Sequence, residues 1–288
     1  MSAGPSFRVA TWNVRAAIGP GEPFPPAWWR HVDRGRLERI AGIIAALDAD
    51  VVALQEVSVF TVEGRLLDQP AELARLTGTE VLYAAVHAFT LVEPETGRAI
   101  GSAQWGNALL SRGSFLETFA DGLPVGADDE AVEPADSGRS LAGIAFADAP
   151  YGTREPRCVI GGRVAIDGAP IRILNAHFAY AGTSQRQRQA DAMAAHALAG
   201  SEPVVVIGDF NAAIDSPELA GLARSFDDAF EVVGILPGDP RRRSSGPNPI
   251  DHVLSRGLDV VDCRVVTEAG DASDHLPVVV TFEHRRTA

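Results

Sequence analysis

Apolar residues along this chain fall into short runs and helical stripes, and polar residues interrupt the runs at their ends. Residues 7–14 (FRVATWNV) form a β-rich run, followed by a Pro/Gly-rich loop carrying Trp28 and Trp29. Leu37, Ile40, Ile44 and Leu47 recur at helical spacing, which predicts an amphipathic helix over about 33–48. Residues 51–54 read as a short apolar strand that ends at the polar pair Gln55-Glu56. A short helix is expected over 70–77, and strands near 80–88, 106–111, 114–119 and 140–146. Asp167-Gly168 separates apolar runs at 157–166 and 170–178, a strong hairpin signal. Ser184-Gln-Arg-Gln matches a capping box, so a helix should start there and bury Ala190, Met193, Ala194 and Ala197.

The run 203–207 is wholly apolar, as in a central strand covered on both faces. Ser216 as cap and Pro217 at the first position predict a further helix. Strands near 250–254, 258–266 and 277–283 follow, and the acidic stretch 121–138 reads as a solvated loop. No repeat of solenoid or propeller period is present. Strands mixed with helices, with hairpins but no strict βαβ alternation, predict an α/β fold of two packed sheets with helices outside. One domain is expected over 1–288, with its core at about 7–282.

Composition narrows the picture. Of 288 residues, 46% are apolar and 22% charged, which is globular rather than disordered. Acidic residues outnumber basic ones by 38 to 25, a net charge of -13, which weighs against tight, sequence-independent binding to nucleic acid. A nuclease stays open, because a local basic groove or bound cations can reverse the sign where it matters. Cys158 and Cys263 lack metal-ligand spacing and read as buried thiols of a reducing compartment. No run approaches the roughly 20 apolar residues of a membrane span. Met1–Ser6 carries no basic region, so a cytoplasmic location without membrane insertion is expected.

The strand ends carry the candidate chemistry. Asn13, Glu56, His177, Asp209 and Asn211 each close an apolar run, Asp251 opens one, and Asp274 and His275 precede one. Strand ends converge at a sheet rim, where a rigid scaffold positions functional loops. Hard divalent cations take carboxylate and amide oxygens, a role open to Glu56 and Asp274 with Asn13 assisting. His177 and His275 can donate protons or neutralise oxyanions near neutral pH. Asp209 can orient or deprotonate an attacking water, and Asn211 can donate its amide hydrogens to a phosphate oxygen.

The ordered set TWNV (11–14), LQEV (54–57), GNALLSR (106–112), NAHF (175–178), GDFNA (208–212), IDHVL (250–254) and SDHLPV (273–278) resembles the endonuclease/exonuclease/phosphatase family over about residues 7–282. That resemblance implies a four-layer α/β/β/α sandwich with two packed, mainly antiparallel mixed sheets. It implies a magnesium-dependent phosphoesterase, with manganese as a possible substitute. Glu56 and Asn13 would hold the main metal, and Asp274 would be a ligand to it or to a second ion. His177 would protonate or steady the leaving oxygen, Asp209 would position the water, and Asn211 would hold the phosphate. His275, oriented by Asp251, would contact the scissile phosphate or act as base. Two departures separate the chain from the apurinic endonucleases, which usually carry an acidic residue where Arg15 stands and Tyr where His177 stands. Where the family commonly has an aromatic residue after Asp251, this chain has His252.

The expected substrate is a phosphate ester: a small molecule, a lipid head group or a nucleic acid, with an endo- or exonuclease as the competing reading. A non-catalytic domain of the same fold should have lost part of the motif set, and none is lost. A serine or cysteine hydrolase lacks support, since no Gly-x-Ser-x-Gly elbow occurs. Outside the motifs, Trp28 and Trp29 can stack on a base, enter lipid or, as preferred here, pack the loop. Arg241, Arg242 and Arg243, like Arg154 and Arg157, can face a polyanion or form a solvated charge run. His31, His87, His196 and His284 read as structural or exposed.

Overall fold

A computed structural model describes residues 6–20, 27–125, 156–166 and 168–285, apart from the Phe89 side chain. Thirteen strands form two sheets among these residues. The first half of the chain contributes β1 (Ser6–Asn13), α1 (Arg34–Leu47), β2 (Val51–Val62), β3 (Arg65–Asp68), α2 (Gln69–Thr77), β4 (Glu80–Val92), β5 (Ala99–Ser111) and β6 (Phe115–Leu123). The second half contributes β7 (Arg157–Ile166), β8 (Ala169–His177), α3 (Thr183–Leu198), β9 (Val204–Asp209), α4 (Ala220–Ser225), β10 (Asp227–Asp228), α5 (Ala229–Val232), β11 (Asp251–Arg256), β12 (Leu258–Val265) and β13 (Val278–His284). One sheet runs β12-β13-β1-β2-β5-β4, with β3 on β2, and the other runs β10-β11-β9-β8-β7-β6. Only β1–β2 and β8–β9 pair in parallel among these neighbours.

Alternation within the strands builds the layers, because successive side chains point to opposite faces. Phe7 and Val9 of β1, Val51 and Ala53 of β2, and Val205 and Ile207 of β9 share one core between the sheets. Ala10, Trp12, Val52 and Leu54 face the other way, onto Leu37, Ile40 and Ile44 of α1. Val204 and Val206 face the helix layer of Met193 and Ala197 in α3. Strands buried on both faces read as unbroken apolar runs, and the result is the expected α/β/β/α sandwich. Asp33 caps α1 by accepting from Gly35 N at 2.9 Å, and Asp48 ends it with a left-handed φ of 51°.

Four expectations are revised or refined. Strand β2 does not stop at Gln55-Glu56 but continues to Val62, because a bulge between Leu54 and Val57 absorbs the interruption. No capping box forms at Ser184: α3 starts at Thr183 after Gly182, whose φ of 90° makes the entry turn without a side-chain cap. Ser216 likewise precedes its helical turn without capping it, and the turn is 3₁₀ before α4 begins. Trp28 and Trp29 are buried, 5% and 8% exposed, and Trp28 meets Phe60 and Trp105 edge-on, so the tryptophan pair packs a loop and is not available to lipid.

The hairpin joining β7 to β8 pairs Ile166 with Ala169, with Gly168 at φ 80°. The run near 140–146, residues 126–138, Asp167 and Arg154 lie outside the described residues. Both cysteines are buried free thiols. Among the described residues no helix is long and apolar enough to cross a membrane.

Gly208 sits beside Ala176 in the β8–β9 pair with φ 147°, and a Cβ there would meet Ala176 O at 1.9 Å. Gly208→Ala should therefore destabilise the fold by at least about 2 kcal/mol in urea unfolding, since backbone cannot yield as a side chain can. A loss below about 0.5 kcal/mol would mean that this close approach does not set the Asp209 strand end.

Candidate active site

Strand register brings the candidate residues to one rim. In the six-stranded sheet His177 lies opposite Asp209, and Asp209 lies opposite Asp251, so three strands present them side by side. In the other sheet Asn13 ends β1 opposite Gln55, and Glu56 follows in the bulge. The segment before β13 supplies Asp274 and His275. It is tied down by Trp12 Nε1 donating to His275 O at 2.9 Å and Ser273 Oγ donating to Asn13 O at 2.8 Å.

One amide joins the two sheets at this rim. Asn13 Nδ2 donates to Glu56 Oε1 at 2.8 Å and to Asp209 Oδ2 at 3.1 Å. Asp209 Oδ1 accepts the Asn211 backbone N–H at 3.0 Å. The Asn211 side chain donates from Nδ2 to Phe178 O at 2.9 Å and lies 3.0 Å from His177 Nε2. Since Nδ2 only donates, His177 Nε2 acts as acceptor and holds no proton in this arrangement. His275 Nδ1 pairs with Asp251 Oδ2 at 2.8 Å, while His275 Nε2 lies 3.7 Å from Asp209 Oδ2. A carboxylate on one ring nitrogen sets the orientation and raises the basicity of the imidazole.

Backbone strain clusters here. Glu56 and Asn211 adopt φ values of 56° and 50°, and Arg15, Ala16 and Ala17 adopt 45°, 46° and 59°. A left-handed conformation costs a non-glycine residue about 1–2 kcal/mol, and such residues gather at functional sites.

Burial sets the two histidines apart. Burial drives His177 well below the usual imidazole range, reinforced by the positive charges of Arg157 and His275, so it is neutral at physiological pH. Burial also opposes charge on His275, but Asp251, Asp209 and Asp274 outweigh it and lift His275 to about 10. The site thus holds one imidazolium and one neutral imidazole, where the sequence led us to expect two titrating near neutral pH. Burial and the charge of Asp251 push Asp209 upward, while His275, Asn13 and the Asn211 N–H hold it back. Burial and the nearby Asp274 raise Glu56, and Asn13 and His275 lower it. Two carboxylates, each raised by burial and by an acidic neighbour, form a setting in which a divalent cation would relieve the repulsion.

The donor set suits a hard metal: carboxylate oxygens of Glu56 and Asp274, with the Asn13 amide beside them. Among the described residues a different grouping has metal-ligand spacing, since one ligand atom each from Asp209, Asp251 and His275 lies within 4.8 Å of the others. That trio is already joined as an imidazolium–carboxylate pair, and binding an ion there would require displacing the proton.

Other candidates play structural parts. Arg242 is buried in an ion pair with Asp228 and lies over the Phe230 ring at 4.9 Å, while Arg241 is exposed and bound to Asp239. His252 is buried against Phe210, with Nε2 2.8 Å from Ala212 O. Of the outlying histidines His31 is exposed and His87 is buried. Two residues inside the quoted motifs, to which the sequence assigned no role, support the rim from beneath. Gln55 Nε2 donates to Asn175 Oδ1 at 2.8 Å, and Asn175 Nδ2 donates to Leu54 O and Ala108 O at 3.0 Å each, stitching the sheets through their buried interface. The available signal was polar residues inside otherwise apolar strands.

A model of the Endonuclease/Exonuclease/phosphatase family matches residues 10–275. The chain belongs to that family. The family comprises hydrolytic phosphoesterases and nucleases that generally depend on a divalent metal. Among curated family-like sequences, a UPF0294 protein of Vibrio cholerae is 32% identical over 139 residues, 45% of this chain and 46% of that protein. The match thus spans about half the length of that curated relative. Among solved structures, an endonuclease/exonuclease/phosphatase from Beutenbergia cavernae superposes with a TM-score of 0.66 at 23% identity, covering 97% of this chain and 72% of that one. A mannosyl-6-phosphatase from Bacteroides thetaiotaomicron superposes at 0.63 and 17% identity, covering 96% and 99%. Both share the family fold.

The His275–Asp251 pair gives a pH-dependent signature. A histidine raised by folding binds its proton more tightly in the native state, so its contribution is complete below the unfolded value of 6.5 and is lost as pH rises toward about 10. In metal-free protein, urea stability should fall between about pH 7 and 9, and Asp251→Asn should flatten that slope. Ring NMR should show His275 protonated through pH 7 and His177 neutral. A His275 titrating at or below 6.5 would rule out the pairing as its cause.

Proposed function

We propose that this chain is a divalent-metal-dependent phosphoesterase in which water attacks phosphorus in line. The observation that carries the reading is the rim itself, where Asn13, His177 and His275 gather around Asp209 Oδ2, Glu56, Asn211 and Asp251 are bonded to those three in turn, and Asp274 adjoins His275. That oxygen lies 3.1 Å from Asn13 Nδ2, 3.4 Å from His177 Nε2 and 3.7 Å from His275 Nε2. Glu56 would hold the ion, Mg²⁺ by its preference for oxygen donors or Mn²⁺ in its place, with Asp274 bordering the site. When bound, the metal supplies charge neutralisation at the phosphoryl oxygens.

The chain's own residues account for the rest. Asp209, made more basic by burial, accepts a proton from the attacking water. The His275 imidazolium, held by Asp251, faces the phosphoryl oxygens and offers positive charge and a proton as the ester bond breaks. Asn211 would donate to a phosphoryl oxygen by turning one amide hydrogen from His177 Nε2 to the substrate, while Phe178 O holds the other. His177, neutral and accepting from Asn211, fixes that amide rather than supplying the leaving-group proton, a role that moves to His275.

A small phosphate ester is favoured as substrate. A net charge of -13 repels an extended polyanion over most of the surface. The buried tryptophans offer no lipid-insertion loop. The fold shared with a mannosyl-6-phosphatase adds phosphosugars to the esters worth assaying.

Hydrolysis of bis-p-nitrophenyl phosphate and a panel of sugar phosphates, with Mg²⁺, Mn²⁺ or EDTA, tests this reading. Turnover should require metal, fall by at least about 10³ in His275→Ala and Glu56→Gln, and spare supercoiled plasmid. Efficient plasmid nicking would favour the nuclease. Turnover that survives EDTA or His275→Ala would exclude the mechanism.

A further inference from the structure

The carboxylate of Asp274 is ion-paired within the protein. Arg15 Nε lies 3.4 Å from Oδ2, while Ser273 Oγ, whose one hydrogen goes to Asn13 O at 2.8 Å, lies 3.2 Å from Oδ1. The arginine is firmly placed. Its N–H donates to Asn13 Oδ1 at 3.0 Å, its Nη1 donates to Gly19 O at 2.7 Å, and its side chain is 11% exposed against 39% for Asp274. It also begins the left-handed segment Arg15–Ala17, which is pinned by Gln69 Nε2 donating to Ala16 O at 2.6 Å and by Asp33 N donating to Ala17 O. Three consecutive strained residues are a costly way to aim one side chain, and they persist only where surrounding contacts impose them. Glu56 differs: Asn13 reaches its Oε1, and its Oε2 has no hydrogen-bond partner among the described residues.

We propose that the Arg15 guanidinium is a built-in counter-cation on Asp274 that limits this site to one divalent ion, held by Glu56. The inference rests on the metal-dependent reading above and adds the stoichiometry and the residue that sets it. Its physical basis is Coulombic. A fixed monovalent cation on one carboxylate oxygen both neutralises that ligand and repels a second divalent ion from the same place, most strongly where water is excluded. Arg15 acts as a positioning residue: it need not touch substrate to set how many ions the rim accepts. A guanidinium's planar fork suits a fixed pairing with a carboxylate better than a lysine ammonium does.

Mn²⁺ titration of the metal-free full chain, counting free ion by its EPR signal, tests this. Wild type should saturate at one ion per chain, Arg15→Gln at two, and Arg15→Gln/Asp274→Asn at one again. Thermal melting by circular dichroism establishes that each variant is folded. As a second arm that leaves Arg15 in place, Asp274→Asn should weaken the single ion by no more than about 10–100-fold, the usual cost of losing an outer partner, and by clearly less than Glu56→Gln, which removes the direct ligand. Two ions on active wild type, a folded Arg15→Gln that still takes one, or equal losses in the two carboxylate variants would overturn the inference alone. Wild type that binds no ion would overturn the metal-dependent reading and the inference with it.

Discussion

The amide of Asn13, shared between Glu56 of one sheet and Asp209 of the other, is the contact on which the site depends. Two sheets packed face to face have no backbone hydrogen bonds between them, so their relative slide is set by side-chain packing alone. A slide of one residue would carry a carboxylate several ångströms away, beyond useful reach of its partners. The polar link at the rim and the buried Gln55–Asn175 link below it remove that freedom, because breaking either strands buried polar atoms without partners. Sequence alternation supplies the flat apolar faces, and these few amides supply the alignment.

Electrostatics follow from that alignment. Burial alone would discharge every acid and base at the rim. The register that places Asp251, Asp209 and His177 on adjacent strands instead makes their fates differ: the charges of neighbouring carboxylates keep a proton on His275, while burial, helped by the charge of Arg157, keeps His177 neutral. Pairs of groups pushed apart in this way are the usual physical mark of assigned acid and base roles. The local strain at Glu56, Asn211 and Arg15–Ala17 sits on the same rim, so the stability of the four layers underwrites conformations that the rim residues would not choose alone.

Much of this was legible in the sequence. The apolar run at 204–207 is the central, doubly covered β9, the 37-40-44-47 stripe is the buried face of α1, and the polar strand ends do converge. The errors have identifiable causes. Glu56 looked like a strand terminus because a bulge and a terminus both interrupt alternation with polar residues. Ser184 looked like a cap because the capping pattern is local, whereas the turn was made by Gly182 under the constraint of docking α3. The neutrality of His177 depends first on burial by the packed sheets and then on Arg157, His275 and His87, residues distant in sequence, so no local pattern carries it. The left-handed path at Arg15–Ala17 leaves no compositional trace, since it contains no glycine.

Anomalous diffraction from crystals soaked in Mn²⁺ addresses the central claim most directly, that both sheets contribute to one metal-bearing phosphoesterase rim organised around Asn13. The account predicts an ion on the Glu56 carboxylate, with His275 still paired to Asp251. An ion seated instead within the Asp209–Asp251–His275 trio, with that pair broken, would contradict it.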